Sequence, residues 1–237
     1  MNRVLILIFL IGINSCCLIH SSAQSPVVKP TKGICIGNST VAKYLGGAGV
    51  ASLLFTPEET AQGYSVLSLA VPGHTIYQQL ALWKACTETA EADWIIVEIG
   101  LNDLRPADPL DSALNRYQKM IDTINLTKKP GAVVILATMT PARQRFDVFK
   151  EQAPIAYKKW IEINRAILGE GPHAITGVNF RFDGHTRALS DDKGNLKPEY
   201  EVMRNDHVHE NTAGRLVVAS YWRIALVKLG LLELGGR

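Results

Sequence analysis

The stretch WIIVEIGLND, residues 94–103, decides the fold class. Its first residues, 94–99, do not alternate between apolar and polar, which is typical of a strand covered on both faces. Gly100 and the polar residues after it then end the run. Further strand-like apolar runs occur at 34–36, 65–71 and 132–138. The sequence therefore predicts four strands of a parallel sheet.

Apolar residues recur every three or four positions in four other segments, which predicts amphipathic helices. They are Ile76, Leu80 and Trp83; Leu110, Leu114, Tyr117, Ile121 and Ile124; Ala156, Trp160, Ile163 and Ile167; and Val217, Tyr221, Ile224, Val227 and Leu231. Strands that alternate with helices form parallel βαβ units. We therefore expect an α/β fold, with a mainly parallel central sheet between two helical layers. The long polar connection over 182–206 is predicted to be an irregular, functional loop.

Residues 1–23 have the features of an export signal. Arg3 supplies a positive charge, residues 4–13 are apolar, and residues 21–23 are small, as a cleavage site requires. The apolar run is shorter than the ~20 residues of a spanning helix. We predict a signal peptide over 1–23, one domain over 24–237, and a secreted or periplasmic protein without stable membrane insertion. An uncleaved membrane anchor is the alternative.

Cysteine usage excludes a disulfide-stapled scaffold, because Cys16 and Cys17 leave with the signal and only Cys35 and Cys86 remain. We expect these two to be buried small residues, with a mutual disulfide as the alternative. Cys16 or Cys17 could instead carry a lipid anchor, since both directly follow the apolar run; Asn14 fits that pattern poorly.

The charge balance does not indicate a nucleic-acid partner. Lys and Arg total 25 against 22 Asp and Glu. The sequence contains no basic run and no basic stripe interleaved with aromatic residues, so we expect no binding of nucleic acid.

Polar residues follow the predicted strands at the edge where parallel α/β sheets bind their ligands. Ser39 follows the first strand, Gly73 the second and Asn102 the third, while His209 stands just before the last helix. Each has an ordinary explanation as a turn or a helix cap. Their shared placement at strand ends, and before the last helix, favours a site.

A serine nucleophile needs a base, a group that orients the base, and donors for the oxyanion. Asp206 stands three residues before His209, so its carboxylate can reach Nδ1 and leave Nε2 to face Ser39. The alternative is a metal site formed by His207 and His209 with Asp206. The chain offers no further His or Cys cluster with ligand spacing, and we expect no metal and no cofactor. His74 and His185 are interpreted as loop residues or substrate contacts, and His173 as a solvated loop residue.

The four blocks resemble the signature of the SGNH hydrolases, also called GDSL-type esterases and lipases. The signature residues, in chain order, are Ser39, Gly73, Asn102 and His209. The third block, Gly100-x-Asn102-Asp103, and the last, Asp206-x-x-His209, match the family pattern fully. In the second block only the glycine and its setting match.

The resemblance implies a three-layer α/β/α fold and an acyl-enzyme mechanism. In that mechanism Ser39 is the nucleophile, His209 is the general base and then the acid, and Asp206 orients His209. The backbone N–H groups of Ser39 and Gly73, with the side-chain amide of Asn102, would form the oxyanion hole.

The sequence departs from the family at Asn38, where an aspartate is usual. Because this residue performs no covalent chemistry, we expect activity to survive.

Asn38-Ser39-Thr40 is also a formal glycosylation sequon, and so is the tripeptide at 125–127. A glycan on Asn38 would obstruct Ser39, so we expect that site to be unmodified.

The resemblance implies a small acyl ester or acylated glycan as substrate, and most directly an acetyl group on carbohydrate. Charged and hydroxyl side chains of the long loop suit a hydrated sugar, and they include Asp183, His185, Thr186, Arg187 and Asp191. Leu53, Leu54 and Phe55 could instead line an acyl groove. A lipase or lysophospholipase, a non-catalytic glycan-binding module, and transfer to a sugar acceptor stay open as alternatives.

Overall fold

The apolar runs of the sequence become parallel strands of one sheet. The structure, a computed structural model, describes residues 29–45 and 48–233; the predicted signal peptide lies outside the described residues. The strands are β1 (Lys32–Gly37), β2 (Ser65–Ser68), β3 (Trp94–Glu98), β4 (Val133–Ala137) and β5 (Phe180–Phe182). Their order is β2-β1-β3-β4-β5, and every pair is parallel. Cys35 of β1 pairs with Ser68 of β2 and with Ile96 of β3.

Helices connect these strands. They are α1 (Pro57–Ala61), α2 (Ile76–Ala85), α3 (Leu110–Thr127), α4 (Ala153–Leu168), α5 (Gly184–Leu189) and α6 (Thr212–Lys228). Short 3₁₀ segments are Val50–Leu53, Thr87–Ala90, Leu101–Asp103, Gln144–Gln152 and Pro198–Tyr200. None of the helices in the described part is long and apolar enough to cross a bilayer.

The two faces of the sheet bury two separate apolar clusters. Ile34 and Val97 point to the face covered by α2, α3 and α4. Cys35 and Ile96, one position away along the same strands, point to the face covered by α5 and α6. Since side chains alternate along a strand, this division follows from the unbroken apolar runs. The predicted three-layer α/β/α fold is confirmed.

The connection over 182–206 is not the structureless loop that its polar composition predicts. It follows β5, a strand of three half-buried residues at the sheet edge, and it contains α5 and the 3₁₀ turn Pro198–Tyr200. A strand this short carries no readable alternation, and α5 is too short for a helical period to stand out.

The predicted stripe of the last helix is only partly buried. Ile224 is 47% exposed, whereas Val217 and Val227 are half-buried against the core. The face that packs on the sheet carries Val218, Trp222 and Leu226. Both stripes are apolar, so the periodicity alone does not choose between them.

The two cysteines are free. Cys35 is fully buried in β1, and Cys86 ends α2, where its thiol donates to the Glu88 carboxylate at 3.2 Å. The disulfide alternative is therefore not present in this structure. Burial raises the pKa of both thiols above the ordinary value.

Candidate active site

The chain reverses its direction of travel across the sheet between β1 and β3. After β1 it continues to β2 on one side, and it then returns to form β3 on the other side of β1. In open parallel sheets, ligands bind at such a switch point, beyond the carboxyl ends of the strands. Ser39 follows β1 and Asn102 follows β3, so the fold places both beside this point.

Ser39, His209 and Asp206 form a continuous hydrogen-bonded chain. The Oγ of Ser39 lies 2.8 Å from Nε2 of His209. On the far side of the ring, Nδ1 lies 2.8 Å and 3.0 Å from the two carboxylate oxygens of Asp206. These contacts fit an imidazole that donates from Nδ1 to Asp206 and accepts the Ser39 hydroxyl proton at Nε2. The structure thus brings together residues that are 170 positions apart.

A tight turn before α6 gives Asp206 and His209 their geometry. Asn205 and His207 both have positive φ, at 66° and 63°. The Asp206 carboxylate accepts from the backbone N–H of Val208 and of His209, at 3.2 and 2.6 Å. Burial alone would raise the pKa of Asp206, but the hydrogen bonds from the side chain and backbone of His209 outweigh it and hold that pKa below its usual range. Asp206 therefore stays ionised beside the imidazole.

The Asn38 side chain shapes the turn that carries the serine. Its Oδ1 accepts from the backbone N–H of Thr40 at 3.1 Å and from the Thr40 hydroxyl at 2.9 Å. An aspartate at this position would offer the same acceptor, which gives a physical reason for the exchange to be tolerated. Asn38 is also only 2% exposed, so an oligosaccharide has no access to its amide.

Two hydrogen bonds join the loop after β2 to the loop after β3. The Asn102 amide donates to the carbonyl of His74 at 2.9 Å, and the Asp103 carboxylate accepts from the backbone N–H of Ile76 at 2.9 Å. Arg116 pairs with Asp103 at 3.2 Å. Asp103 therefore has a clear structural task that the sequence left unassigned: it holds Gly73 and Asn102 on one side of the site.

The conformation of the backbone at position 73 favours glycine, which has no side chain. Its φ is +78°, a region that L side chains rarely adopt. Among the described residues, the backbone N–H groups of Gly73 and Ser39 have no hydrogen-bond acceptor. Both amides are thus available to a ligand.

A cavity of about 160 Å³ brings these groups together. Its lining consists of Ser39, Tyr44, Pro72, Gly73, Leu101, Asn102, Arg145, Val208 and His209. The Tyr44 ring lies against His209, with 4.5 Å between the ring centroids. The signature positions inferred from the sequence therefore share one small cavity, while Tyr44 and Arg145 are additions that the sequence did not indicate.

A fully buried arginine supports the segment that carries Ser39 from behind. Arg215 of α6 is 0% exposed. Its guanidinium donates to the carbonyl of Ala48 at 2.6 Å, of Tyr44 at 3.4 Å and of Ser39 at 3.5 Å. Only one feature of the sequence indicates this role, namely an arginine among the apolar residues of the last helix.

Two buried carboxyl groups lie beneath the site, and these were also missed. Glu98 ends β3 and Glu210 follows His209, and they are 2% and 0% exposed. Thr140 Oγ1 contacts both, at 3.4 Å from Glu98 and in a shorter contact with Glu210. Burial, with the charge of Glu210 nearby, raises the pKa of Glu98 well above its ordinary value, and burial raises the pKa of Glu210 to about 7.

The other histidines in the described part of the chain do not line the cavity around Ser39. His185 is fully buried and lies 2.9 Å from the carbonyl of Thr138, so the interpretation of His185 as a substrate contact is wrong. His207 contacts Glu201 at 3.1 Å, whereas His209 contacts Asp206 and Ser39. The metal alternative would need both histidines at one ion, and here they have different partners. His74 contributes its backbone carbonyl to Asn102, and His173 is exposed.

The loop residues expected to hold a sugar lie elsewhere. The residues concerned are Asp183, His185, Thr186, Arg187 and Asp191, and none of them lines the cavity around Ser39 or the pocket beside it. Leu54 is fully buried, and Leu53 and Phe55 pack against the core, so these residues do not form an acyl groove.

A comparison with models of protein families gives a match over most of the chain. A sequence model of the GDSL-like Lipase/Acylhydrolase family matches residues 35–215. The chain belongs to this family. The resemblance drawn from the four blocks is thereby confirmed. A search of curated proteins found no match.

Several solved structures, among them that of a GDSL-like lipase, share the fold. A GDSL-like lipase from Bacteroides thetaiotaomicron is 19% identical, with a TM-score of 0.60 over 86% of this chain and 91% of that one. A catalytic mutant of an acetylxylan esterase from Geobacillus stearothermophilus is 18% identical, with a TM-score of 0.55 over 87% and 97%. The psychrotrophic esterase EstA from a Pseudoalteromonas species is 14% identical, with a TM-score of 0.56 over 84% and 99%. At these identities the likeness shows the fold.

Proposed function

We propose that this GDSL-family protein is an exported serine esterase that hydrolyses small acyl esters, chiefly acetyl groups on carbohydrate. The observation that carries the proposal is the hydrogen-bonded chain from Ser39 through His209 to Asp206 at the mouth of a cavity. A serine so placed can be deprotonated as it attacks, because its proton passes to a base held in the correct tautomer. Export rests on the sequence features of residues 1–23.

The first half of the reaction forms an acyl-enzyme. Ser39 Oγ attacks the ester carbonyl carbon while Nε2 of His209 takes the hydroxyl proton, and Asp206 stabilises the resulting imidazolium. The carbonyl oxygen becomes an oxyanion that accepts from the N–H groups of Ser39 and Gly73 and from the amide of Asn102. Collapse of this intermediate breaks the bond to the alcohol, which leaves with the proton from Nε2.

The second half of the reaction releases the acid. Water gives its proton to Nε2 of His209 as its oxygen attacks the acyl carbon, and the second oxyanion occupies the same donors. Collapse returns the proton to Ser39 Oγ and frees the carboxylic acid. A sugar hydroxyl that replaced this water would give acyl transfer by the same steps.

The dimensions of the cavity support a small acyl group. About 160 Å³ beside Ser39 has room for an acetyl group, whereas a long chain needs an extended apolar surface to gain its ~0.8 kcal/mol per buried CH₂. Carbohydrate as the alcohol is supported by a protein of the same fold that is described as an acetylxylan esterase. A lipase is the second candidate, because Leu104 and Phe146 line an adjoining pocket.

A series of p-nitrophenyl esters tests the proposal. We expect kcat/KM to be highest for the acetate and to fall by butyrate or hexanoate, and we expect acetylated xylan to release acetate. A serine-reactive phosphonate should stop turnover and add its mass to the peptide that contains Ser39. A preference that climbs to octanoate would favour the lipase.

Variants of the proposed catalytic residues provide the controls. Ser39→Ala and His209→Ala should each abolish turnover while circular dichroism shows a retained fold. Ser220→Ala and His173→Ala, which change exposed residues outside the site, should keep wild-type rates. Substantial esterase activity in folded Ser39→Ala would end the proposal and leave a glycan-binding role to be tested.

A further inference from the structure

A second pocket continues from the cavity around Ser39. It measures about 460 Å³ and shares four lining residues with that cavity: Gly73, Leu101, Asn102 and Arg145. Arg105 lines it as well. A substrate whose ester carbonyl sits at Ser39 would therefore extend its larger part past these two arginines.

The charge of this second pocket is positive. No Asp or Glu is among the residues that line it or the cavity around Ser39. Among the described residues, no carboxylate lies within ion-pair distance of Arg105 or Arg145. Other arginines of the molecule are paired: Arg116 with Asp103, Arg187 with Asp183 and Arg223 with Glu59. The two guanidinium groups at the site are thus free to bind a ligand.

The loop that carries Arg105 is held in place. The ammonium group of Lys159, on α4, donates to the carbonyls of Arg105 and Pro106 at 2.8 Å each and also to the carbonyl of Asp108. Lys159 is only 9% exposed, so these bonds lie away from bulk water. A fixed backbone at Arg105 lowers the entropy that the loop itself would lose on binding.

The floor of the pocket is apolar. Leu104 and Phe146 are buried, and Phe149 is half-buried at its edge. An apolar, partly aromatic floor below two charged groups suits a ring that has one apolar face and one anionic substituent. It suits a long uncharged acyl chain less well, because such a chain would have to cover the two charged groups.

We propose that the alcohol part of the substrate is an acidic sugar, whose carboxylate binds Arg145 and Arg105 while its ring lies against Phe149. The inference rests on the proposed esterase function and adds the charge class of its substrate. Guanidinium groups bind carboxylates through paired N–H donors.

Two matched substrates test the inference. They are a methyl glucuronoside with one acetyl group and the neutral glucoside acetylated at the same hydroxyl. We expect wild-type kcat/KM to be roughly tenfold or more higher for the acidic sugar, as for a hydrogen-bonded charge pair. This ratio should fall toward one in the double variant R105Q/R145Q, mainly through KM. It should also decrease as salt is raised.

Further measurements separate the possible failures. Arg165→Gln, which changes an exposed arginine of α4 that pairs with Glu162 and Glu170, should keep the wild-type ratio. Equal rates on both sugars, or a ratio that persists in the folded double variant, would refute the acidic substrate and leave the esterase intact. A charge preference seen only with p-nitrophenyl hemisuccinate over the acetate would refute it too, by placing the anion on the acyl side. Absence of turnover on every ester would refute the proposed function itself.

Discussion

The side chain of Asn102 has two N–H donors and uses one of them inside the protein. That donor bonds the carbonyl of His74 at 2.9 Å, which orients the amide, and the second has no partner among the described residues. If the second donor binds the oxyanion, Asn102→Ala should lower kcat by roughly 10²–10³, the usual loss for one such donor. Steady-state kinetics on p-nitrophenyl acetate measures this.

The same substitution also removes the bond to His74. That loss should lower the free energy of unfolding by only about 0.5–1.5 kcal/mol, which a denaturant titration can separate from the effect on kcat. An unchanged kcat together with lower stability would make Asn102 a structural link between the two loops.

The positions of single residues could be predicted from the sequence where the fold leaves little freedom. Ser39 and Asn102 stand directly after buried runs, and parallel strands bring all such positions to one edge. Asp206 and His209 form a local pair that needs no knowledge of the rest of the chain. Arg145 gave no such signal, because an exposed loop arginine has the same sequence appearance whether it binds a ligand or water.

At the scale of elements, α6 connects the core to the segment that carries Ser39. Arg215 projects from this helix and donates to three backbone carbonyls, among them those of Ser39 and Tyr44. Arg215→Met should leave these carbonyls without their donor and lower the free energy of unfolding by about 1–3 kcal/mol. It should also slow the reaction of Ser39 with a phosphonate, because the serine turn loses support.

The labelling rate distinguishes positioning from stability alone. It should be measured well below the melting temperature, where wild type and variant are both folded. Arg165→Met, an exposed change at another helix, serves as the control. A labelling rate in Arg215→Met equal to that of wild type would show that Arg215 acts on stability only.

Helices and strands were predictable where the apolar pattern repeats over a long segment. The 18 residues of α3 carry a clear stripe, and the structure buries that stripe as expected. The three residues of β5 carry no period at all. In α6, tertiary packing chose the side with Trp222 over an equally apolar side with Ile224, and only knowledge of the sheet could have decided this.

At the scale of the whole molecule, a buried polar cluster lies at the end of the sheet, where β3 ends. The groups that face Glu98 and Glu210 come from several elements, namely Cys35, Thr40, Tyr117, Thr140, His185, Asp206, Arg215 and Trp222. Of these, only Arg215 is a permanent cation. Burial lowers the pKa of His185 to about 4, so it is neutral near pH 7.

Hydrogen-bond counting supports protonated carboxyl groups in this cluster. Thr140 has one hydroxyl hydrogen but contacts both Glu98 and Glu210. Thr40 gives its hydrogen to Asn38 at 2.9 Å and still lies 3.5 Å from Glu98. Both sets of contacts are satisfied when a carboxyl group donates, which requires that it carry a proton.

This protonation makes the stability of the molecule fall as pH rises. A carboxyl group whose pKa is higher in the folded state keeps a proton that the unfolded chain releases, so alkali favours unfolding. For Glu210 the window runs from its ordinary 4.5 to about 7, and a full change costs about 3 kcal/mol at ~1.4 kcal/mol per pH unit. The contribution of Asp206 has the opposite sign, since its lowered pKa stabilises the fold above the unfolded value and is lost in acid.

We therefore predict that Glu210→Gln flattens the pH dependence of stability. The glutamine can still accept from Thr140 but has no proton to lose, so its free energy of unfolding should fall less than that of wild type between pH 5 and 8. Urea titrations across this range measure the difference, with the exposed Glu58→Gln as control. Glu98→Gln should act in the same direction at higher pH. Parallel stability profiles for wild type and both buried variants would show that the two carboxyl groups are ionised in the folded protein.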